Sequence, residues 1–151
     1  TKGEVPDEEY TIPLGKADVK REGKDATIVT LSRMVFFSLQ AAEALSAKGI
    51  ETEVIDLRTL VPLDIETVKR SVAKTNRLVI VHEATRSYSW GAEVAARIQE
   101  EAFDDLDAPI LRVAAEDVPV PYNLKLEAEM FPQVRDITAA VYRSLYLEPD
   151  V

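Results

Sequence analysis

The run Leu78-Val79-Ile80-Val81 restricts the fold more than any other feature of the chain. Four consecutive apolar residues in a strand send side chains to both faces of a sheet, so both faces need cover. A sheet with one wet face would alternate apolar and polar residues instead. Three further short runs read as strands rich in β-branched residues: Ala26-Thr27-Ile28-Val29-Thr30-Leu31, Glu53-Val54-Ile55-Asp56-Leu57 and Ile110-Leu111-Arg112-Val113-Ala114. Helix patterns lie between and after them. Met34 to Lys48 is rich in Ala and Leu and is stopped by Gly49. Asp64 stands as an N-cap before Ile65, Val68 and Val72, spaced i, i+3, i+7. Gly91 opens a helix with Val94, Ala95, Ile98 and Ala102 on one face, and a final helix carries Val134, Ile137, Val141 and Leu145 as a stripe. This alternation specifies an α/β fold: three layers, α/β/α, around a mostly parallel sheet of about five strands.

The 151 residues suit one domain of about 150. Residues 1–25 are polar and irregular and read as an extended arm or linker, with residues 16–25 extended or hairpin-like and ending in a turn. The domain proper is expected at 26–151. Val118-Pro119-Val120-Pro121-Tyr122 reads as a rigid extended connector. The chain does not begin with Met, so a processed product or a fragment is expected.

Function classes fall away quickly. Eighteen basic against 27 acidic side chains leave a net charge of −9, which argues against nucleic acid or an anionic membrane as partner. Cysteine is absent, which removes disulfides, thiol nucleophiles and thiolate metal sites. No apolar run reaches the roughly 18 residues of a membrane span, and no signal-peptide pattern is present. Neither a GxGxxG turn nor a Walker A loop nor a GxSxG elbow occurs. With a single histidine, a zinc shell would have to be completed by carboxylates, so no metal site is expected. What remains is the carboxyl end of the third strand, where open α/β sheets bind ligands. His82, Glu83 and Arg86 fall there as a possible general base, carboxylate and anion clamp. The alternative is a satisfied histidine, its neighbour and a structural arginine. Tyr88 and Trp90 could stack on a ligand, or pack at an interface.

Several phrases then carry a resemblance. Tyr10-Thr11-Ile12-Pro13-Leu14-Gly15-Lys16-Ala17 is followed by Gly23-Lys24-Asp25-Ala26-Thr27-Ile28-Val29. Further on come Glu53-Val54-Ile55-Asp56-Leu57-Arg58-Thr59-Leu60 with Pro62-Leu63-Asp64, then Val81-His82-Glu83-Ala84 with Gly91-Ala92-Glu93. Asp107-Ala108-Pro109, Arg112-Val113 and Asp117-Val118-Pro119-Val120-Pro121-Tyr122 complete the set. Together, from Tyr10 to Leu147, they resemble the C-terminal, transketolase-like domain of the β subunit of thiamine-diphosphate-dependent 2-oxo acid dehydrogenase E1 components. These are the pyruvate, branched-chain and acetoin types. One stretch departs from the pattern: where the family usually has Thr-Gly-Gly, this chain has Ser87-Tyr88-Ser89. Bulky residues take positive φ less readily than glycine, so a loop of different shape is expected.

The resemblance implies oxidative decarboxylation of a 2-oxo acid, with acyl transfer to lipoyl-E2, by the parent enzyme. Thiamine diphosphate and Mg²⁺ would be held by the α subunit and the N-terminal domain of β, leaving no catalytic or cofactor-binding residue on this chain. The implied partners are the E1 α subunit, a second β subunit and the subunit-binding domain of E2. The implied setting is the bacterial cytoplasm or the mitochondrial matrix. Tyr142 and Tyr146, off the centre of the last helical stripe, are candidates for the β–β contact or for the domain's own surface. Glu100, Glu101, Asp104, Asp105 and Asp107 crowd the C-terminal end of the helix that Gly91 opens. Like charges repel at such spacings, and carboxylates there face the negative end of the helix dipole. Asp104 and Asp107, with Glu100 and Glu101, are therefore the expected E2-docking patch, a solvated acidic face being the alternative. The rival readings are the equivalent domain of transketolase or 1-deoxyxylulose-5-phosphate synthase, and a free-standing anion- or nucleotide-binding α/β module.

Overall fold

The computed structural model describes residues 7–148; residues 1–6 of the expected arm and 149–151 of the expected domain lie outside the described residues. In chain order the elements are β1 (Asp18–Arg21), β2 (Ala26–Thr30), α1 (Met34–Ser46), β3 (Thr52–Asp56), α2 (Ile65–Thr75) and β4 (Leu78–Thr85). Then follow α3 (Trp90–Glu101), β5 (Leu111–Ala115), α4 (Leu124–Met130) and α5 (Val134–Ser144). One five-stranded sheet has the order β1-β3-β2-β4-β5. β2 runs parallel to both β3 and β4, and β5 runs parallel to β4. β1 is antiparallel to β3. The fold is the expected mostly parallel α/β/α arrangement.

Alternation along the central strands divides the core in two. Ile28, Val54, Val79 and Val81 face α1 and α5 with Met34, Leu45, Ile137 and Val141. Val29, Ile55 and Ile80 face α2 and α3 with Val68, Val72, Val94 and Ile98. That is the double cover which the apolar run at Leu78 demanded. Asp64 caps α2, accepting from the Thr67 N–H at 3.3 Å and the Thr67 hydroxyl at 2.9 Å. It also accepts from the Ala17 N–H at 3.1 Å, which fastens the approach to β1 onto the helical layer. At α5 the Asp136 carboxylate accepts from the Gln133 N–H at 2.8 Å, closing a capping box.

Three stretches differ from the expectation. The polar segment before residue 26 contributes β1, because Asp18–Arg21 pairs along the exposed side of β3. β4 continues four residues beyond Val81, through polar residues that no apolar pattern marks. A short helix, α4, follows the proline connector, its Asn123 side chain accepting from the Lys125 N–H at 2.9 Å.

Two glycines make a paired test. A Cβ on Gly23 would stand 2.1 Å from the backbone nitrogen of Glu53, and that backbone belongs to the sheet. Gly49 has φ +82° with open space around it. Gly23→Ala is expected to cost about 3 kcal/mol through overpacking, and Gly49→Ala about 1 kcal/mol through left-handed strain. Urea midpoints of the two variants in the reverse order would contradict this.

Candidate functional site

His82 lies inside β4, not at its end, and is 2% exposed. Its Nδ1 is 2.9 Å from the Ala84 carbonyl oxygen, which can only accept, so Nδ1 carries the proton. Nε2 then accepts from the Ser89 hydroxyl at 3.1 Å. The Trp90 ring tilts against the imidazole with centroids 5.1 Å apart. Gly91 leaves room for it, since a Cβ there would stand 2.4 Å from Nε2. Burial pushes the imidazole pKa below its usual value; the bond to Ala84 opposes this, and the charge of Arg112 adds to it. The ring is neutral, with both nitrogens engaged.

The expected convergence of His82, Glu83 and Arg86 does not form. Adjacent strand residues point to opposite faces, so Glu83 turns away from His82. Arg86 is exposed beyond the strand. Among the described residues no hydrogen bond or ion pair joins these three side chains. Sequence reasoning passed over Ser89: a serine before a helix start reads as its N-cap, yet the hydroxyl makes no capping bond and goes to His82. It also passed over Arg112, whose Nη1 donates to the Arg86 carbonyl at 2.8 Å.

The loop after β4 is held at both ends. The Arg86 N–H donates to the Ala115 carbonyl at 3.0 Å. Ser87 donates to Asp117 twice, from its N–H at 2.9 Å and its hydroxyl at 2.6 Å. The Ser87 hydroxyl, foremost, holds the Asp117 carboxyl below its usual pKa. Tyr88 takes φ +55° and is fully exposed. The tyrosine thus adopts the left-handed conformation it was expected to disfavour. Trp90 packs instead on the α2/α3 core, so the two aromatics do not share a surface role. The last helix divides its tyrosines similarly: Tyr142 packs on the α1/α5 core, while Tyr146 is exposed.

The acidic end of α3 is partly neutralised. Glu101 accepts from Arg97 at 3.0 Å and from Lys69 at 3.3 Å, and the Arg97 bond is the main reason its carboxyl lies below the usual pKa. Asp107 pairs with Arg77 at 3.1 Å. Glu100 and Asp104 are exposed, with no ion pair among the described residues. Local repulsion is therefore smaller than the bare spacing implies. Among the described residues no group of three or more His, Asp or Glu side chains is placed to hold a metal ion.

This architecture has known counterparts. Residues 15–137 match the family described as transketolase, C-terminal domain. The chain belongs to that family. Among curated proteins it is 49% identical over 143 residues to the mitochondrial pyruvate dehydrogenase E1 component subunit beta-2 of Oryza sativa subsp. japonica, covering 95% of this chain and 38% of the relative. It is 50% identical over 134 residues to the pyruvate dehydrogenase E1 component subunit beta of Bacillus subtilis, covering 89% and 41%. It is 49% identical over 131 residues to the acetoin:2,6-dichlorophenolindophenol oxidoreductase subunit beta of the same organism, covering 87% and 38%. The resemblance to E1 β subunits holds, and the chain spans about two fifths of these relatives' length. A solved structure titled split gene transketolase, inactive beta4 tetramer, superposes with a TM-score of 0.80 at 32% identity, over 97% of this chain and 47% of that one.

His82 gives a pH prediction. Its folded pKa lies below the usual 6.5, so the unfolded chain takes up the proton first as pH falls. Its contribution is complete above about pH 6.5 and is lost as pH falls towards the folded value. The urea midpoint should decline as pH falls below about 7 in the wild type, with a flatter slope in His82→Gln. The ring resonance of this sole histidine should titrate below 6.5. Titration at or above 6.5 would contradict the assignment.

Tyr88 gives a second. Tyr88→Gly relieves about 1 kcal/mol of left-handed strain, offset in part by glycine's freedom in the unfolded chain. Its melting temperature should match or exceed the wild type, while Tyr88→Val should melt lower. A clear loss in Tyr88→Gly would show that the ring makes a stabilising contact.

Proposed function

We propose that the chain is the C-terminal domain of the β subunit of a 2-oxo acid dehydrogenase E1 component, serving assembly and E2 docking rather than bond making. The observation that carries this is identity of 49% spread over 95% of the chain to a pyruvate dehydrogenase E1 β subunit. The parent enzyme would decarboxylate a 2-oxo acid such as pyruvate and pass the acyl group to lipoyl-E2. Thiamine diphosphate, with Mg²⁺, would supply the decarboxylation chemistry from outside this chain. Support from within comes from His82, whose buried, neutral and doubly engaged ring is not poised to move a substrate proton.

In this reading the partners are the E1 α subunit, a second β subunit and the subunit-binding domain of E2. The compartment is the mitochondrial matrix or a bacterial cytoplasm, as the names and sources of the relatives suggest. A transketolase domain is the second reading; the structural likeness favours it, and its lower identity of 32% weighs against it. The docking surface is the end of α3. Glu100 and Asp104 offer free charge there, while Asp107 and Glu101 share theirs with Arg77, Arg97 and Lys69. An acidic rim of this kind steers a basic partner and fixes its register.

The test is titration of an E2 subunit-binding domain against the wild type, Asp104→Lys/Asp107→Lys and Glu100→Lys/Asp104→Lys at two ionic strengths. The last variant leaves the Asp107–Arg77 pair intact. Both should bind about tenfold more weakly at low salt, and the gap should narrow as salt screens exposed charges beyond about 8 Å. Unchanged affinity and salt dependence in both variants would reduce the patch to a solvated helix end.

A further inference from the structure

The chain carries a net charge of −9, yet three arginines without an ion pair among the described residues line one recess. The recess, about 280 Å³, lies between β5 and α5 and is lined by Arg86, Arg112 and Arg143. Five other arginines of the fold are neutralised: Arg21 by Glu51, Arg58 by Asp18, Arg77 by Asp107, Arg97 by Glu101 and Arg135 by Glu129. Arg33 lies over the Phe37 and Phe131 rings and Arg70 donates to the Thr67 hydroxyl, so each stands alone, whereas the three of the recess stand together without an ion pair among the described residues. Arg112 donates only to a neutral acceptor, the Arg86 carbonyl, at 2.8 Å. The charge of Arg86 reaches Asp117, but that carboxylate's oxygens are bonded to Ser87. The guanidinium of Arg143 makes no hydrogen bond or ion pair with a described residue.

One carboxylate, Asp136, does line the recess, and it is already committed. Its Oδ2 accepts from the Gln133 N–H at 2.8 Å, and its Oδ1 lies 3.6 Å from Nε of Arg135. Three arginines without an ion pair, against Asp136 within the recess and Asp117 beside Arg86, leave a local excess of positive charge, and bringing like charges together costs energy unless an anion relieves it. The loop and strand keep them there regardless: Arg86 is tied to Ala115 by its N–H at 3.0 Å, and Arg112 is tied to Arg86.

We propose that this recess binds a dianionic phosphate group, as free phosphate or as a small phosphomonoester. Guanidinium forks match the oxygens of such a group in paired hydrogen bonds. Three cations suit a dianion better than the single charge of one carboxylate. The floor is apolar, formed by Leu111, Ala139 and Ala140, and it would lie against a short organic stub. At about 280 Å³ the space suits a phosphate with such a stub and not a nucleotide. The proposal uses none of the residues assigned to E2 docking, so either reading can fail alone.

The test is thermal shift and calorimetry on the 151-residue chain with inorganic phosphate and with ethyl phosphate, each against chloride at matched ionic strength. Both phosphates should raise the melting temperature saturably. Tighter binding of ethyl phosphate would identify a phosphomonoester as the ligand, and equal binding would identify the free ion. Arg143→Gln should weaken binding about tenfold or more without lowering the melting temperature in chloride, because its guanidinium holds nothing within the fold. Arg112→Gln should do the same, with some loosening of the loop it supports. Lys125→Gln on α4 should bind as the wild type does. A phosphate effect no larger than that of chloride, or wild-type affinity in Arg143→Gln, would overturn the proposal.

Discussion

β2 is buried along its whole length, and the rest of the sheet is arranged around that fact. Two of its five residues are threonines with no exposed surface, and each hydroxyl needs a partner. Thr30 donates to the Val81 carbonyl at 3.0 Å, across to β4. Thr27 meets the hydroxyls of Ser71 at 2.6 Å and Thr75 at 2.7 Å, both on α2. Leaving such a group unpaired costs about 1–3 kcal/mol. The threonines therefore fix which face of α2 settles on the sheet, and where along β2 it sits. Apolar packing alone would tolerate sliding; a buried hydroxyl triad does not.

A second polar tie does similar work at the amino end of the sheet. Glu53 is 3% exposed on β3 and bonds Lys74 of α2, while the Gly23 N–H donates to it at 3.3 Å. Lys74 also reaches Glu22 at 2.9 Å. One lysine thus joins helix, strand and the turn behind β1. The bond to Glu53, foremost, raises the Lys74 pKa above its usual 10.5. A raised lysine contributes stability that is complete below the unfolded pKa and is lost only in strongly alkaline conditions, while Glu22, whose carboxyl Lys74 holds below its usual range, gives up its share in acid. His82 behaves oppositely, being neutral when folded, and its weak side is acidic.

The fold was legible because its strands are apolar on both faces and its helices carry clear stripes. The elements read poorly are those whose order comes from elsewhere. His82 to Thr85 has no strand pattern; it stays extended because β5 continues to pair with it, as Thr85 with Ala115. β1 is polar because it borders solvent, and Asp64, 47 residues from Ala17, helps hold its approach. The candidate site was less legible still. Composition marks His82 as singular but cannot say that a serine three-dimensionally behind it takes its second nitrogen. Arg112 and Arg143 sit in different elements with no shared motif, and only the packing of α5 against β5 brings them to one recess.

The net charge of −9 shows how far a whole-chain quantity reaches. It describes the field met by a long polyanion approaching from a distance, where the summed acidic charge dominates. At contact range the sum loses its meaning, because exposed charges beyond about 8–10 Å are largely screened in salt. The acidic end of α3 is tempered by Lys69, Arg97 and Arg77, so part of its formal charge is already spent within the fold. Beside β5, Arg112 donates only to a carbonyl, while Arg86 also meets the charge of Asp117. A chain whose summed charge is strongly negative therefore still brings Arg86, Arg112 and Arg143 to one recess.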